Sequence, residues 1–276
     1  MRSKSLILRL IGLTIWGANC VSAQGDLDSY ERGEVEFGDG RVPFIASGEE
    51  QGALVLMVHG TPGGRENFTG FLNETRLTDR ARIVAMVRPG WGGSQTLADT
   101  TRLQVQAAKV AAVLRAFPDR RPAIVVGHSL GGTIVAQSVM DHPELIDGAL
   151  IVSASLDPAK EKTTWYQAIG RWKIVRWAVP DDLVAADHEI KALPDQLRAM
   201  SRRWSNVRTP IIVMQGDRDK LVPIAHLDYP ARVAPQAVVA TIRLEKQGHF
   251  VPWEQPEAMT AAILRLLDLA TEGNPD

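Results

Sequence analysis

The sequence is short of several features that would place it in a special class. Its 276 residues include one cysteine, so a disulfide between two of its own cysteines is excluded. Charge of neither sign is in excess, with 31 basic and 32 acidic residues, which argues against nucleic-acid binding through a basic surface. A hydrophobic content of 45% with 23% charged residues argues against disorder, collagen-like repeats and a polytopic membrane protein. What remains is a globular chain whose length fits one α/β domain with an insertion.

The N-terminus has the pattern of a secretory signal peptide. An apolar stretch runs from Leu10 to Ala18, and small residues follow it at Val21-Ser22-Ala23. The basic residues that precede it are Arg2, Lys4 and Arg9. We therefore expect residues 1–23 to be a signal peptide cleaved near Ala23, and residues 24–276 to be exported to the periplasm or secreted.

Two alternatives for this segment are weaker. A permanent anchor needs about 20 apolar residues, and Leu10–Ala18 is shorter. A lipoprotein attached through Cys20 would resemble the bacterial lipidation pattern only with a small residue before the cysteine, whereas Asn19 is larger and more polar. We expect no stable membrane span, and no cysteine in the exported chain.

Short apolar runs alternate with amphipathic segments through the rest of the chain. Runs of this length are typical of strands buried on both faces of a sheet. They are Ala53–Val58, Ile83–Val87, Ala123–Val126, Ala149–Val152 and Ile211–Met214. Segments 103–117 and 259–270 have helical periodicity, and Glu34–Phe37 with Val42–Ala46 predicts an opening hairpin. The alternation predicts an α/β fold with a mostly parallel central sheet and helices on both faces.

One long stretch breaks the alternation. Between Val152 and Pro210 there is no buried-strand run, yet four of the seven tryptophans lie there. A bare loop of this length is uncommon in a compact domain, so we predict a small helical cap inserted after strand 149–152, over about residues 155–208. The candidates for lining a substrate pocket are Trp91, Trp165, Trp172 and Trp177. The alternative is that these rings only pack the cap onto the sheet.

Gly127-His128-Ser129-Leu130-Gly131 matches the Gly-x-Ser-x-Gly pattern of a nucleophilic serine. The run Ile124-Val125-Val126 precedes it as a strand, and Gly132–Met140 follows as a helix, which is the strand, turn and helix that the pattern needs. The flanking glycines leave room for a strained turn. Ser129 is therefore the candidate nucleophile.

A serine hydroxyl needs a base, and six histidines compete for that role. His249 follows the alternating strand Val238–Leu244 and can reach a serine at the strand edge. His128 adjoins Ser129 on a sharp turn, so its side chain should point elsewhere, and His59 lies at a strand end. The remaining three are expected to be solvated or capping residues, namely His142, His188 and His226. We predict His249 as the base.

An acid that orients the base is expected in the loop after strand Ile211–Met214. Asp217 and Asp219 both lie there. Asp219 is farther from the strand, where a loop can carry its carboxylate toward His249, whereas Asp217 is better placed to cap the turn. We favour Asp219 and keep Asp217 as the alternative.

The negative oxygen of a tetrahedral intermediate needs N–H donors. The Leu130 backbone N–H is one candidate, because it lies at a helix N-terminus. The second should come from the glycine-rich turn after strand Ala53–Val58, where Pro62 has no N–H to offer. We therefore predict the Thr61 N–H, with Gly63 as the alternative.

Elsewhere, Asp187-His188-Glu189 lacks metal-ligand spacing and is interpreted as surface.

These motifs together resemble the α/β-hydrolase superfamily, in its esterase, lipase and peroxidase-like branch. The likeness covers about Val42 to Leu267. It rests on Gly127-His128-Ser129-Leu130-Gly131-Gly132, His59-Gly60, Gly216-x-x-Asp219-x-x-Val222-Pro223 and Gly248-His249-Phe250. The resemblance implies an α/β-hydrolase fold with Ser129 as nucleophile, His249 as base and Asp219 as acid, in the chain order of that family.

The resemblance also sets limits. A serine at position 129 argues against the dehalogenase and epoxide-hydrolase branches, which use a carboxylate nucleophile. Val87 stands where the family's turn usually begins with aspartate. The resemblance implies hydrolysis without a cofactor, and we expect no metal site.

The predicted function is that of a serine hydrolase, which cleaves a carboxylic ester or related acyl bond of a small hydrophobic molecule through an acyl-enzyme. The alternatives are a carbon–carbon bond hydrolase, a lyase, a peroxidase-like enzyme, an amidase or aminopeptidase, and a binding protein that has kept the fold without activity. The expected partner is the small substrate, with no nucleic acid. The sequence gives no sign of oligomeric state.

Overall fold

The structure is a computed structural model that describes residues 27–38, 40–91, 101–161 and 181–272. The predicted signal peptide and Cys20 lie outside the described residues. So do three of the four tryptophans predicted for the pocket, Trp165, Trp172 and Trp177.

The strands of the described residues form one sheet. They are β1 (Glu31–Phe37), β2 (Gly40–Gly48), β3 (Ala53–Val58), β4 (Ala81–Met86), β5 (Ala123–His128), β6 (Gly148–Val152), β7 (Ile211–Gly216) and β8 (Val238–Leu244). Their order is β1-β2-β4-β3-β5-β6-β7-β8. β1 and β2 form the predicted hairpin, β2 also pairs antiparallel with β4, and every pair from β4 to β8 is parallel.

Helices cover both faces of the sheet. They are α1 (Thr69–Leu72), α2 (Thr75–Thr78), α3 (Leu103–Arg115), α4 (Leu130–Asp141), α5 (Asp181–Ser201), α6 (Tyr229–Val233), α7 (Val251–Glu254) and α8 (Pro256–Glu272). The predicted amphipathic segments are present as α3 and α8. The sequence does not predict the four helices of four or five residues, because so few residues show no periodicity.

Two apolar cores lie on opposite faces of the sheet, as the side chains of β3 show. Leu54 and Leu56 belong to the core that also contains residues of α3 and α4. Val55 and Met57 belong to the core that contains residues of α1 and α8. Successive side chains of a strand point to opposite faces, so an unbroken apolar run buries both. The predicted α/β architecture is confirmed.

Helix α5 lies between β6 and β7, where the cap is predicted. It runs for 21 residues, and a short 3-10 turn at Trp204–Asn206 follows it. Trp204 is fully buried, with its ring edge-on to that of Tyr229 at 6.2 Å. The extent of the cap, about residues 155–208, stays a prediction. Within the described ranges, no helix combines the length and apolar character that crossing a membrane requires.

Candidate active site

Ser129 lies at the turn between β5 and α4. Its backbone has φ 56° and ψ −126°, a conformation that a residue with a side chain rarely adopts. Glycine is required on both sides, because a Cβ at Gly127 would lie 2.3 Å from the Gly131 carbonyl oxygen, and one at Gly131 would lie 2.1 Å from that of Val58. The tight turn places Ser129 at the edge of the sheet where the parallel strands end.

Three side chains from separate loops are hydrogen-bonded in series at this edge. Ser129 Oγ lies 3.0 Å from His249 Nε2, and His249 Nδ1 lies 2.7 Å from Asp219 Oδ2. Asp219 follows the end of β7 and His249 follows the end of β8. Parallel strands end at the same edge of a sheet, so residues far apart in the chain meet there. We call these three residues the His249 series.

Asp219 holds the imidazole of His249 in one orientation. The Asp219 side chain is fully buried, and its Oδ1 accepts the backbone N–H groups of Leu221 and Val222, each at 2.8 Å. An ionised carboxylate only accepts hydrogen bonds, so its contact with His249 places the ring proton on Nδ1. The lone pair of Nε2 then faces Ser129 Oγ. Asp217, the alternative acid, accepts the Lys246 backbone N–H at 2.7 Å instead.

His128 supports the His249 series from behind. Its Nε2 donates to the His249 carbonyl oxygen at 2.9 Å, and the two rings lie 4.9 Å apart. The Trp253 ring also lies edge-on to the His128 ring, at 5.6 Å. Burial, with His249 close by, lowers the pKa of His128 to about 3, so the ring is neutral. Its position beside Ser129 in the sequence does not show where the ring points.

The turn after β3 approaches Ser129 closely. A Cβ at Gly60 would lie 2.9 Å from Ser129 Cβ, so only glycine fits there. Thr61 follows Gly60 directly, and Gly63 is two residues farther along. Leu130 is the first residue of α4, so its N–H has no partner one turn earlier in the helix. The Thr61 and Leu130 N–H groups therefore both lie on backbone next to Ser129.

The sequence profile of the "Alpha/beta hydrolase family" matches residues 55–262, well over half of the chain. The chain belongs to the alpha/beta hydrolase family. The matched range contains all three residues of the His249 series, and the match supports a hydrolase.

Relatives of this alpha/beta hydrolase carry different names. A 1-acylglycerol-3-phosphate O-acyltransferase of Arabidopsis thaliana is 32% identical over 136 residues, which is 45% of this chain but only 31% of that protein. A 2-hydroxy-6-oxononadienedioate/2-hydroxy-6-oxononatrienedioate hydrolase of Burkholderia vietnamiensis is 24% identical over 269 residues, covering 82% of this chain and 91% of the relative. The crystal structure of a membrane phospholipase A has the same fold, with a TM-score of 0.69 and 21% identity over 88% of this chain and 87% of that one.

A buried ion pair joins the strand-end turns of this alpha/beta hydrolase to helix α5. Arg88 follows β4, Glu189 lies on α5, and their side chains are 0% and 2% exposed. Arg88 Nη1 and Nη2 donate to Glu189 Oε1 and Oε2 at 2.7 and 3.2 Å. Arg88 Nη2 also donates to the Gly60 carbonyl oxygen at 2.8 Å, and His59 contacts the same oxygen. We call His59, Gly60, Arg88 and Glu189 the Gly60 network.

The interpretation of Asp187-His188-Glu189 as surface is wrong for Glu189. His188 is exposed, and Asp187 pairs with Lys191 on the same helix, as a solvated helix face would. Glu189 faces inward because Arg88 neutralises it. Charged side chains are rarely buried without a partner, and that partner is 101 residues away in the sequence.

Trp91, the one candidate pocket tryptophan among the described residues, is 3% exposed. It packs with Val87 and Ala186 of α5, and its ring lies edge-on to that of His59 at 6.2 Å. Its Nε1 donates to Glu189 Oε1 at 3.4 Å. Val87, where related turns have aspartate, thus gives α5 an apolar contact. A pocket role for Trp91 stays a prediction.

His226 is neither solvated nor a helix cap. It is fully buried, and its Nδ1 accepts the backbone N–H groups of Leu156 and Asp157, each at 3.0 Å. Burial lowers its pKa to about 4. In the part of the chain that the structure describes, no group of three or more His, Cys, Asp or Glu side chains lies close enough to hold a metal ion.

Proposed function

We propose that this alpha/beta hydrolase is a serine hydrolase that cleaves a carboxylic ester, or a related acyl bond, of a small molecule through an acyl-enzyme. The observation that carries the proposal is the unbroken series from Asp219 through His249 to Ser129, with contacts of 2.7 and 3.0 Å. Ser129 is the nucleophile, His249 the general base and Asp219 the residue that orients the base. Both contacts have the length of ordinary hydrogen bonds, so the hydroxyl proton has a direct acceptor.

The reaction follows from the proton positions. His249 Nε2 takes the Ser129 hydroxyl proton as Oγ attacks the carbonyl carbon of the substrate. The imidazolium so formed is stabilised by the Asp219 carboxylate, and it then donates the proton to the leaving alkoxide as the acyl-enzyme forms. A water molecule, deprotonated by the same Nε2, attacks the acyl-enzyme, and as the acid is released Nε2 returns this proton to Ser129 Oγ. Each tetrahedral intermediate carries a negative oxygen, for which we assign the Leu130 and Thr61 N–H groups as donors.

A second candidate is cleavage of a carbon–carbon bond beside a ketone. It is favoured by the Burkholderia vietnamiensis relative, a 2-hydroxy-6-oxononadienedioate hydrolase that aligns over 91% of its length. The ester proposal ranks first because an ester leaves as an alkoxide that His249 can protonate directly. A carbon leaving group must instead be delocalised within the substrate and protonated at carbon, which is a step that ester cleavage does not require.

Two further parts of the proposal concern regions outside the described residues. The predicted cap, with Trp165, Trp172 and Trp177, supplies an apolar wall for the acyl or aryl group of the substrate.

The segment 1–23 directs export, so the protein isolated from a native host should begin near Gln24 when its N-terminus is read by mass spectrometry. An N-terminus that retains Met1 would contradict export with cleavage.

An ester panel tests the proposed reaction. Purified protein is assayed on p-nitrophenyl esters of increasing acyl length, on the matching anilides and on a 2-hydroxy-6-oxo-dienoate, each with Ser129→Ala as the control. We expect ester turnover in the native protein that Ser129→Ala lacks. Turnover of the dienoate alone would support the second candidate, and no Ser129-dependent turnover of any substrate would contradict both.

A further inference from the structure

The Gly60 carbonyl oxygen accepts hydrogen bonds from two side chains. Arg88 Nη2 lies 2.8 Å from it and His59 Nδ1 lies 2.9 Å from it. The same peptide unit carries the Thr61 N–H, and this peptide is trans. In a planar trans peptide the C=O and N–H groups point in opposite directions. The two hydrogen bonds therefore fix the direction of the Thr61 N–H, and they also polarise it.

The proton on His59 is placed by its two partners. Its Nε2 accepts the Arg88 backbone N–H at 3.0 Å, and a backbone N–H can only donate. Nδ1 therefore carries the proton and donates to the Gly60 carbonyl. Burial, together with the nearby Arg88 charge, holds the pKa of His59 well below its usual value, so the ring stays neutral.

Arg88 is held from the far side by Glu189. Both Glu189 oxygens accept from the guanidinium, and Oε1 also accepts from Gln106 Nε2 at 3.0 Å and Trp91 Nε1 at 3.4 Å. Desolvation offsets much of the attraction within a buried ion pair, so such a pair is not explained by stability alone. The planar fork of arginine allows one guanidinium to bind the carboxylate and the Gly60 carbonyl together.

We propose that Arg88, held by Glu189, is a positioning residue that aims the Thr61 N–H at the negative oxygen of the tetrahedral intermediate. Because Glu189 belongs to α5, the position of this helix then determines how well that oxygen is stabilised. This inference rests on the serine-hydrolase proposal above.

The test removes the charge pair without leaving a charge unpaired. In the double variant Arg88→Met with Glu189→Gln, both charges are gone, and the amide that replaces the Glu189 carboxylate keeps an oxygen for Gln106 and Trp91. We expect kcat for a p-nitrophenyl ester to fall at least about tenfold with KM changed less than about threefold, because only transition-state stabilisation is lost. The matched control is Arg80→Met with Asp268→Asn, an ion pair of 2.7 Å whose side chains are 45% and 46% exposed. It should keep the native kcat.

A transition-state analogue separates positioning from general damage. The affinity for phenylboronic acid, which forms a tetrahedral adduct with a nucleophilic serine, should fall by the same factor as kcat/KM. The thermal unfolding midpoint of the double variant should stay close to that of the native protein. Arg88→Lys is the second variant, because lysine keeps the charge beside Glu189 but has no fork to bind Gly60 as well. The kcat of Arg88→Lys should fall by a similar factor. This variant tests the proposal if the double variant does not fold.

The outcomes distinguish this inference from the function on which it rests. If the native protein neither turns over esters nor is labelled on Ser129 by a fluorophosphonate, the serine-hydrolase proposal fails and the inference fails with it. If the native protein is active and a folded Arg88 variant keeps kcat within about threefold, only the inference is overturned. Loss of kcat with unchanged boronate affinity would also overturn it.

Discussion

The His249 series and the Gly60 network both meet at Ser129, and they are held together by different forces. The His249 series consists of hydrogen bonds between short loops that follow β5, β7 and β8, and its one carboxylate is satisfied by backbone N–H groups. The Gly60 network depends on a fully buried ion pair between the turn after β4 and helix α5. In the proposed mechanism the first moves a proton, and in the further inference the second sets the direction of a backbone N–H.

This difference predicts how each region fails. Changes in the His249 series should remove chemistry while leaving the fold stable, because its residues lie on loops at one edge of the sheet. Changes in the Gly60 network should affect stability as well, because a charge left without its partner inside the protein is costly. Substitutions in the His249 series should therefore lower activity alone, whereas substitutions in the Gly60 network that leave a charge unpaired should lower stability as well.

Replacing the base should break the His249 series most severely. We expect His249→Ala to lower kcat/KM by about 10⁴-fold or more, because Ser129 then has no group to take its proton. The matched control is His188→Ala, which removes an exposed histidine from α5. Ester kinetics measure the effect, and the unfolding midpoints of both variants should match the native protein. Equal activity in the two variants would contradict the assignment of the base.

The two aspartates of the β7 loop should respond very differently. Asp219→Asn is expected to lower kcat by about 10³ to 10⁴-fold, because an amide at this position favours the wrong ring proton on His249. Asp217→Asn should change kcat by less than about fivefold, because Asp217 contacts the Lys246 N–H and not the imidazole. Steady-state kinetics on one ester decide between them. A larger loss in Asp217→Asn would make Asp217 the acid.

Breaking the buried ion pair should cost stability that breaking an exposed one does not. In Glu189→Gln the Arg88 guanidinium stays buried without a counter-charge, so the free energy of unfolding should fall by about 3 to 5 kcal/mol. Glu257→Gln removes the same charge from the exposed contact with Arg76 and should leave the denaturation midpoint unchanged. Urea unfolding followed by tryptophan fluorescence compares the two. Equal midpoints would show that the ion pair does not hold α5 to the sheet.

Acid should weaken the fold through its buried histidines. The folded-state pKa is about 3 for His128 and about 4 for His226, whereas an unfolded histidine titrates near 6.5. As the pH falls below about 6.5, the unfolded chain binds protons that the folded chain does not, so stability decreases toward pH 4 and is unaffected above 6.5. Each group contributes a slope of up to about 1.4 kcal/mol per pH unit.

Histidine variants separate the contribution of the buried histidines to the pH dependence of the unfolding free energy from the contribution of the carboxylates. His128→Gln should reduce the pH dependence of the unfolding free energy between pH 6.5 and 4, whereas exposed His188→Gln should not. Urea titrations at several pH values measure both slopes. A slope in His128→Gln that equals the native one would show that His128 is not held neutral in the folded protein.

Most of the sheet could be predicted from the sequence, because strands buried on both faces are continuous apolar runs. The runs at Ala53–Val58 and Ala149–Val152 appear as β3 and β6 with bounds that differ by one residue at most. The proximity of Ser129, Asp219 and His249 could be predicted too, since each follows a strand that ends at the same edge. These inferences need only local patterns and one rule of topology.

The Gly60 network could not be predicted, because its contacts depend on tertiary packing. Glu189 directly follows the half-buried Asp187 and the exposed His188 in the sequence, and its own type gives no sign that it is buried. Arg88 lies in a turn whose sequence gives no sign of a distant partner. The positions of the His128 and His226 rings could not be predicted for the same reason. A side chain's direction on a tight turn is decided by what packs against it.

Covalent labelling tests most directly whether Ser129 is a nucleophile activated by His249. The native protein is incubated with a fluorophosphonate, digested, and its peptides are examined by mass spectrometry. We predict one adduct per chain on the peptide that contains Ser129, formed far more slowly in His249→Ala. A folded native protein that gains no adduct, or gains it on another serine, would contradict the role of Ser129 as the nucleophile.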